Sequence, residues 1–161
     1  MRVIKVLSLG IVALVVLVAA VFFGARFADG PIAMFPGGPL RSGTMVTEPV
    51  ADWSFAQQVA EIELQLADED SSRTTWIVVS EGAAFIPCSL GFPPNKQWHL
   101  RADEDGRAIL RIEGRKYPVQ LRRLPDSSER ADLKALAETK YGGLPPTDAG
   151  VWFFAVDPRS N

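Results

Sequence analysis

The chain of 161 residues carries 17 Lys and Arg against 19 Asp and Glu, a formal net charge of −2, with one His and one Cys. That balance gives no reason to expect a nucleic-acid partner, and single copies of His and Cys exclude an intramolecular disulfide and, for a monomer, any metal site or triad built on two imidazoles. Beyond an apolar N-terminal run, the remainder suffices for one domain, which usually takes about 100–150 residues.

Residues 6–24 are almost unbrokenly apolar, interrupted only by Ser8 and Gly10 and preceded by Arg2 and Lys5. A helix of about 20 apolar residues crosses the hydrocarbon of a bilayer, so residues 1–25 are expected to form an N-terminal transmembrane helix whose partner is the lipid bilayer. The run outlasts the apolar core of a signal peptide and continues through Val21, Phe22 and Phe23, past the position that a cleavage site at Val18-Ala19-Ala20 would take. Arg2 and Lys5 before the run, against Arg26 behind it, favour a cytoplasmic N-terminus and an extracytoplasmic domain.

Residues 26–49 form a Gly/Pro-rich connector. Pro31, Pro36, Gly37, Gly38, Pro39 and Gly43 exclude a long helix, and Ile32, Met34, Phe35 and Leu40 indicate that the segment lies on the domain or on the membrane surface. The domain then occupies residues 50–161. Residues 61–66 alternate strictly, with Ile62, Leu64 and Leu66 on one face, which reads as a half-buried antiparallel strand. Residues 74–79 are β-branched and aromatic on both faces, Glu81-Gly82 makes a turn, and residues 84–86 return as a hairpin.

After Gly91, Pro93 and Pro94 a short helix is expected, N-capped by Asn95 and ending near Asp103. Residues 107–112 and 117–121 alternate around a turn at Glu113-Gly114-Arg115, and Pro118 places its strand at an edge or a bulge. Asp126 and Glu129 have the spacing of a capping box for a helix that Gly142-Gly143 ends. Residues 151–156 are the last strand. Cys88 reads as a small buried hydrophobe, His99 as a packing residue, and the tryptophans as core or interface residues, with Trp53 alternatively at the membrane surface.

This order of elements is that of a mainly β, antiparallel barrel with two short helices at its openings. The stretch TWIVVSEGAAFIP at 75–87, Lys96-Gln97-Trp98-His99-Leu100-Arg101, and DGRAILRIEG at 105–114 resemble the flavin-binding split β-barrel superfamily, which includes the pyridoxamine-phosphate oxidases and the deazaflavin-dependent nitroreductases. The resemblance implies a homodimer with FMN or a deazaflavin across its interface. Arg73 and Lys96 would hold the cofactor phosphate, and Trp76, Phe85 and Trp98 would border the ring system. No metal site is implied, and no residue is singled out as catalytic.

Two functions follow from these readings. In the first, a membrane-anchored barrel binds a flavin-type cofactor and reduces a small organic ligand by hydride transfer, the cofactor supplying the chemistry. In the second, the barrel is a cofactor-free extracytoplasmic binding or assembly module. The two are coupled to topology, because a domain exported unfolded must find its cofactor where free flavin is scarce.

Overall fold

The alternation at 61–66 becomes strand β2 (Glu61–Leu66), whose Ile62, Leu64 and Leu66 are at most 1% exposed. The computed structural model describes residues 2–126, 128–143 and 150–159, with side chains for all of these except 2–9, 21–23 and 128. Helix α1 (Arg2–Ala25) comes first, and strand β1 (Thr44–Met45) lies in the connector. After β2 come β3 (Arg73–Trp76), β4 (Val78–Ser80), β5 (Ala83–Ser89), α2 (Trp98–Glu104), β6 (Arg107–Ile112), β7 (Arg115–Arg123), α3 (Ser128–Tyr141) and β8 (Val151–Pro158).

The strands lie in the order β3-β2-β6-β7-β8-β5-β4, every neighbouring pair antiparallel. The two end strands of that list, β3 and β4, are separated in the chain only by Ile77. One kinked segment therefore closes the two margins of the sheet on each other, and the result is a nearly closed barrel with few free edges. Alternate residues point inward: Ala84, Ile86 and Cys88 of β5, Ala108, Leu110 and Ile112 of β6, Tyr117, Val119 and Leu121 of β7, and Phe154 and Val156 of β8 share one core with the face of β2. Trp98 and Ala102 of α2 plug one end.

A second, smaller core lies outside the barrel wall, where Val78, Phe85, Phe153 and Ala155 meet Leu133 and Ala137 of α3. This is why residues 74–79 and 151–156 are apolar on both faces: one face fills the barrel and the other is covered by α3. Pro118 falls between Lys116, the last residue of β7 paired with β1, and Val119, the first paired with β8. Its missing N–H sits where that side of the strand changes partners.

Three expectations are revised. Asn95 is not the cap of α2: it adopts φ 63°, and the helix begins at Trp98 after Gln97, without a side-chain cap. The Asp126 carboxylate accepts from Arg130 and α3 begins at Ser128. Trp53 is 2% exposed and belongs to the core, its ring 5.6 Å from Phe55 and 5.5 Å from Tyr117, so it is not at a membrane surface.

The connector lies on the barrel. Gly37 and Ser72 exchange backbone hydrogen bonds (3.0 and 3.1 Å), Ser72 Oγ donates to Gly38 O (2.6 Å), and Leu40 N–H donates to Gln65 Oε1 (2.8 Å). Gly37 has to be glycine, since a Cβ there would run into the Gly30 carbonyl. Among the described residues no helix is long and apolar enough to cross a membrane. The ends of the N-terminal apolar run, 6–9 and 21–23, lie outside the residues with described side chains.

Candidate functional site

Arg73 is paired with Leu64, an inward-facing residue of β2, so its side chain turns into the end of the barrel. There its guanidinium lies 5.7 Å from the centre of the Trp98 ring and donates to Glu69, itself only 8% exposed at the side chain. Glu69 also receives Arg101 of α2 at 3.0 Å. Two strand residues later than the inward Ile86, Cys88 faces the same space, and the following Ser89 pairs with Val151 at the start of β8. Gly91, Pro93 and Pro94 delay the helix until Trp98, and in that turn Lys96 reaches back to donate to the Ser89 carbonyl. The barrel mouth thus brings together Arg73, Lys96 and Trp98, with His99 behind them against Trp152 (ring centres 5.2 Å apart).

Burial governs the electrostatics of this mouth. It lowers the affinity of Arg73 for its proton, which Glu69 opposes, and it does the same to Lys96. His99 is held below the usual imidazole range, first by burial and then by the neighbouring Lys96. The Cys88 thiol is pushed up to about 12 by burial, despite the two cations near it. Arg73 Nε, Ser89 Oγ and His99 Nδ1 have no hydrogen-bond partner among the described residues. An unpaired buried polar group costs about 1–3 kcal/mol.

The thiol is therefore no nucleophile in the folded state. At pH 8, alkylation of Cys88 in the native protein is expected to be slower by about a thousandfold than that of a free cysteine, and to recover on denaturation. Iodoacetamide labelling followed by mass spectrometry checks this; fast native labelling would mean that the mouth opens.

Trp76 and Phe85 are not part of this group. Phe85 packs in the outer core beneath α3, opposite Val78. Trp76 lies flat against Tyr141 of α3, ring centres 4.3 Å apart and planes 7° from parallel. Tyr141 Oη in turn accepts from Ile77 N–H and has its one proton within reach of the Ile77 and Ala60 carbonyls (2.7 and 2.8 Å), so this stack locks α3 over the β3–β4 kink. Of the five residues expected around a cofactor, three share the mouth and two lie on the outer wall. Two shallow surface pockets of about 310 and 350 Å³ contain none of the five. One lies between α2 and β7, around Asp103, Gln120 and Arg123, the other beside Lys140 and Tyr141. Among the described residues no group of three or more His, Cys, Asp or Glu side chains is placed to hold a metal ion.

A polar centre that the sequence did not single out lies under the connector. Arg111, 9% exposed, donates through Nε to Glu63, through Nη1 to Asp29 Oδ1 (3.0 Å) and Ser42 Oγ (3.1 Å), and through Nη2 to Asp29 O (3.0 Å) and Glu63 Oε1 (2.9 Å). The Ser42 hydroxyl, with the Ser42 and Arg41 amides and Arg111 beside it, holds the Asp29 carboxyl well below the usual carboxylate range. The only sequence signal is an arginine on the polar side of an alternating strand, which ordinarily faces water. No family model matches the chain, and no curated protein matches it.

Proposed function

We propose that this protein is a single-pass membrane protein, N-terminus cytoplasmic, whose extracytoplasmic barrel is a cofactor-free binding or assembly module. The observation that carries the anchoring is the exposure of α1: Ile11, Val12, Leu14, Val15, Val16, Leu17 and Val18 are all 57–61% exposed. With Ala13, also exposed, these positions go round the whole helix, and a helix apolar on every side needs either a protein core or lipid around it. The barrel covers none of these residues, and in the sequence the apolar run continues on both sides of them, over residues 6–24, close to the roughly 20 residues that a bilayer takes.

The preference for a module without cofactor rests on the cations. Arg73 is committed to Glu69 and Lys96 to the Ser89 carbonyl, so a phosphate would have to displace both at once. A second reading, the flavin-dependent reductase working as a homodimer, is favoured by the polar atoms of Arg73, Ser89 and His99 that lack partners among the described residues. A phosphorylated ligand would satisfy them.

The test uses the full chain in nanodiscs, titrated separately with FMN and with a deazaflavin while cofactor and tryptophan fluorescence are followed. The expected result is no saturable quenching up to about 1 mM, a Kd equivalent to only about 4 kcal/mol of binding. Saturable binding that Lys96→Ala and Arg73→Ala each weaken would overturn the proposal in favour of the reductase. Anchoring is tested separately: after alkaline carbonate extraction the protein is expected in the membrane pellet.

A further inference from the structure

We infer that the connector face next to α1 is a lipid-docking surface, which holds the barrel against the anionic headgroups of the leaflet from which α1 emerges. The inference rests on the reading of α1 as a membrane anchor. It adds that the barrel is seated on the bilayer and does not hang from a flexible tether.

The first observation is that the joint between helix and barrel is stiff. Ala25, the last residue of α1, is 1% exposed, and its carbonyl accepts from Gly38 N–H at 3.2 Å. Gly38 is pressed against the Ala28 and Arg26 carbonyls so closely that a Cβ would meet them at 2.4 and 2.7 Å, and Ser72 of the barrel holds both Gly37 and Gly38. With Arg111 gripping Asp29, the chain that leaves the helix is bonded to the barrel within about one helical turn.

The second observation is what this stiff joint presents. Phe27 is 80% exposed, Met34 75% and Ile32 45%. Ile32 and Phe35 exchange both backbone hydrogen bonds (3.1 and 3.0 Å), closing a two-residue turn whose tip is Ala33-Met34. Ala33 takes φ 52°, a conformation that residues with a Cβ seldom adopt, and Thr74 Oγ1 of β3 donates to its carbonyl at 2.7 Å. The tip is thus held out by the barrel wall. A methionine held clear of every core in this way is suited to an acyl boundary.

The third observation is charge. Arg26 and Arg41 are exposed in the connector and Arg115 is exposed opposite Thr44 of β1. Among the described residues none of the three is in an ion pair. Asp29 and Glu63 share Arg111, and the exposed acids of the connector and the adjacent hairpin turn, Glu48 and Glu113, stand against Arg26, Arg41, Arg115 and Lys116. A small excess of basic side chains in the same segment as exposed apolar ones, continuous with a membrane helix, matches an anionic lipid surface better than it matches a protein partner.

The test reconstitutes the full chain in vesicles of phosphatidylcholine with phosphatidylglycerol. Met34→Cys, Leu14→Cys and Leu136→Cys variants are labelled in turn with an environment-sensitive fluorophore and quenched by spin-labelled lipid. Cys88 is buried with its thiol pushed up to about 12, so it stays unlabelled. Leu136 lies on α3, which packs on the outer face of β4, β5 and β8, and is 41% exposed. Quenching is expected at Leu14 in α1 and at Met34, the latter about threefold stronger than at Leu136 and weakened when Arg41→Glu and Arg115→Glu are introduced together. Quenching at Leu14 with Met34 no different from Leu136 would overturn the docking while the anchor stands. No quenching at any of the three would remove the anchor and the docking together.

Discussion

Truncation of Trp53 to Ala is expected to destabilise the barrel by about 3–5 kcal/mol, the range for a large aromatic removed from a core. Trp53 is 2% exposed, its amide donates to Gly82 O at 2.8 Å, and its ring sits between Phe55 and Tyr117. The side chain therefore anchors an aromatic cluster with Phe55 and Tyr117 beside the β4–β5 turn at Gly82. Trp53→Phe is expected to cost far less. It keeps a ring against Tyr117, and the indole Nε1 has no hydrogen-bond partner among the described residues, so no polar contact is lost with it. Urea unfolding followed by far-ultraviolet circular dichroism measures both. A loss under about 1 kcal/mol in Trp53→Ala would mean that the residue is not in the core.

Replacement of Arg111 with Ala is expected to cost about 2–3 kcal/mol and to release the connector from the barrel. Removing one partner of a fully buried ion pair costs about 3–5 kcal/mol. Here the guanidinium is 9% exposed but its partners Glu63 and Asp29 are 29% and 35% exposed, so water offsets part of the loss. Arg111→Lys is expected to rescue little, because an ammonium cannot serve Glu63, Asp29 and Ser42 with one planar fork. Faster proteolysis within residues 26–43 and lost amide protection at Arg41 and Ser42 are the readouts, and unchanged protection would show that the connector holds without the arginine.

The same centre sets a pH dependence. The folded Asp29 carboxyl lies below its unfolded value of about 3.9, first because of the Ser42 hydroxyl. A depressed acid contributes stability above the unfolded value, and the contribution is lost as the pH falls through the folded one. The connector is therefore expected to loosen progressively below about pH 4 while the barrel amides stay protected, and Asp29→Asn is expected to remove that pH dependence.

The strands were legible because their signal is local. Residues 61–66, 107–112 and 117–121 each have a wet and a dry face, and alternation shows itself within a single strand. The kinked segment 73–80 was different. Apolar side chains stand on both of its faces, so nothing local says that Arg73 turns inward while Trp76 turns outward. That parity comes from the pairing of Arg73 with Leu64 and of Trp76 with Glu61. A site assembled from Arg73, Trp76, Phe85, Lys96 and Trp98 by position in the chain therefore mixed two faces of one wall.

By itself the sequence determined which segments bury one face, where the breakers interrupt them, and that the first helix is apolar all round, because each of these is a period or a composition within about twenty residues. Only the tertiary structure decided which charges are buried. Arg111 stands on the polar side of its strand, and 48 residues separate it from Glu63 and 82 from Asp29. It loses water because the connector folds back over that side, and a contact across such a separation depends on the closed barrel that holds both ends of it.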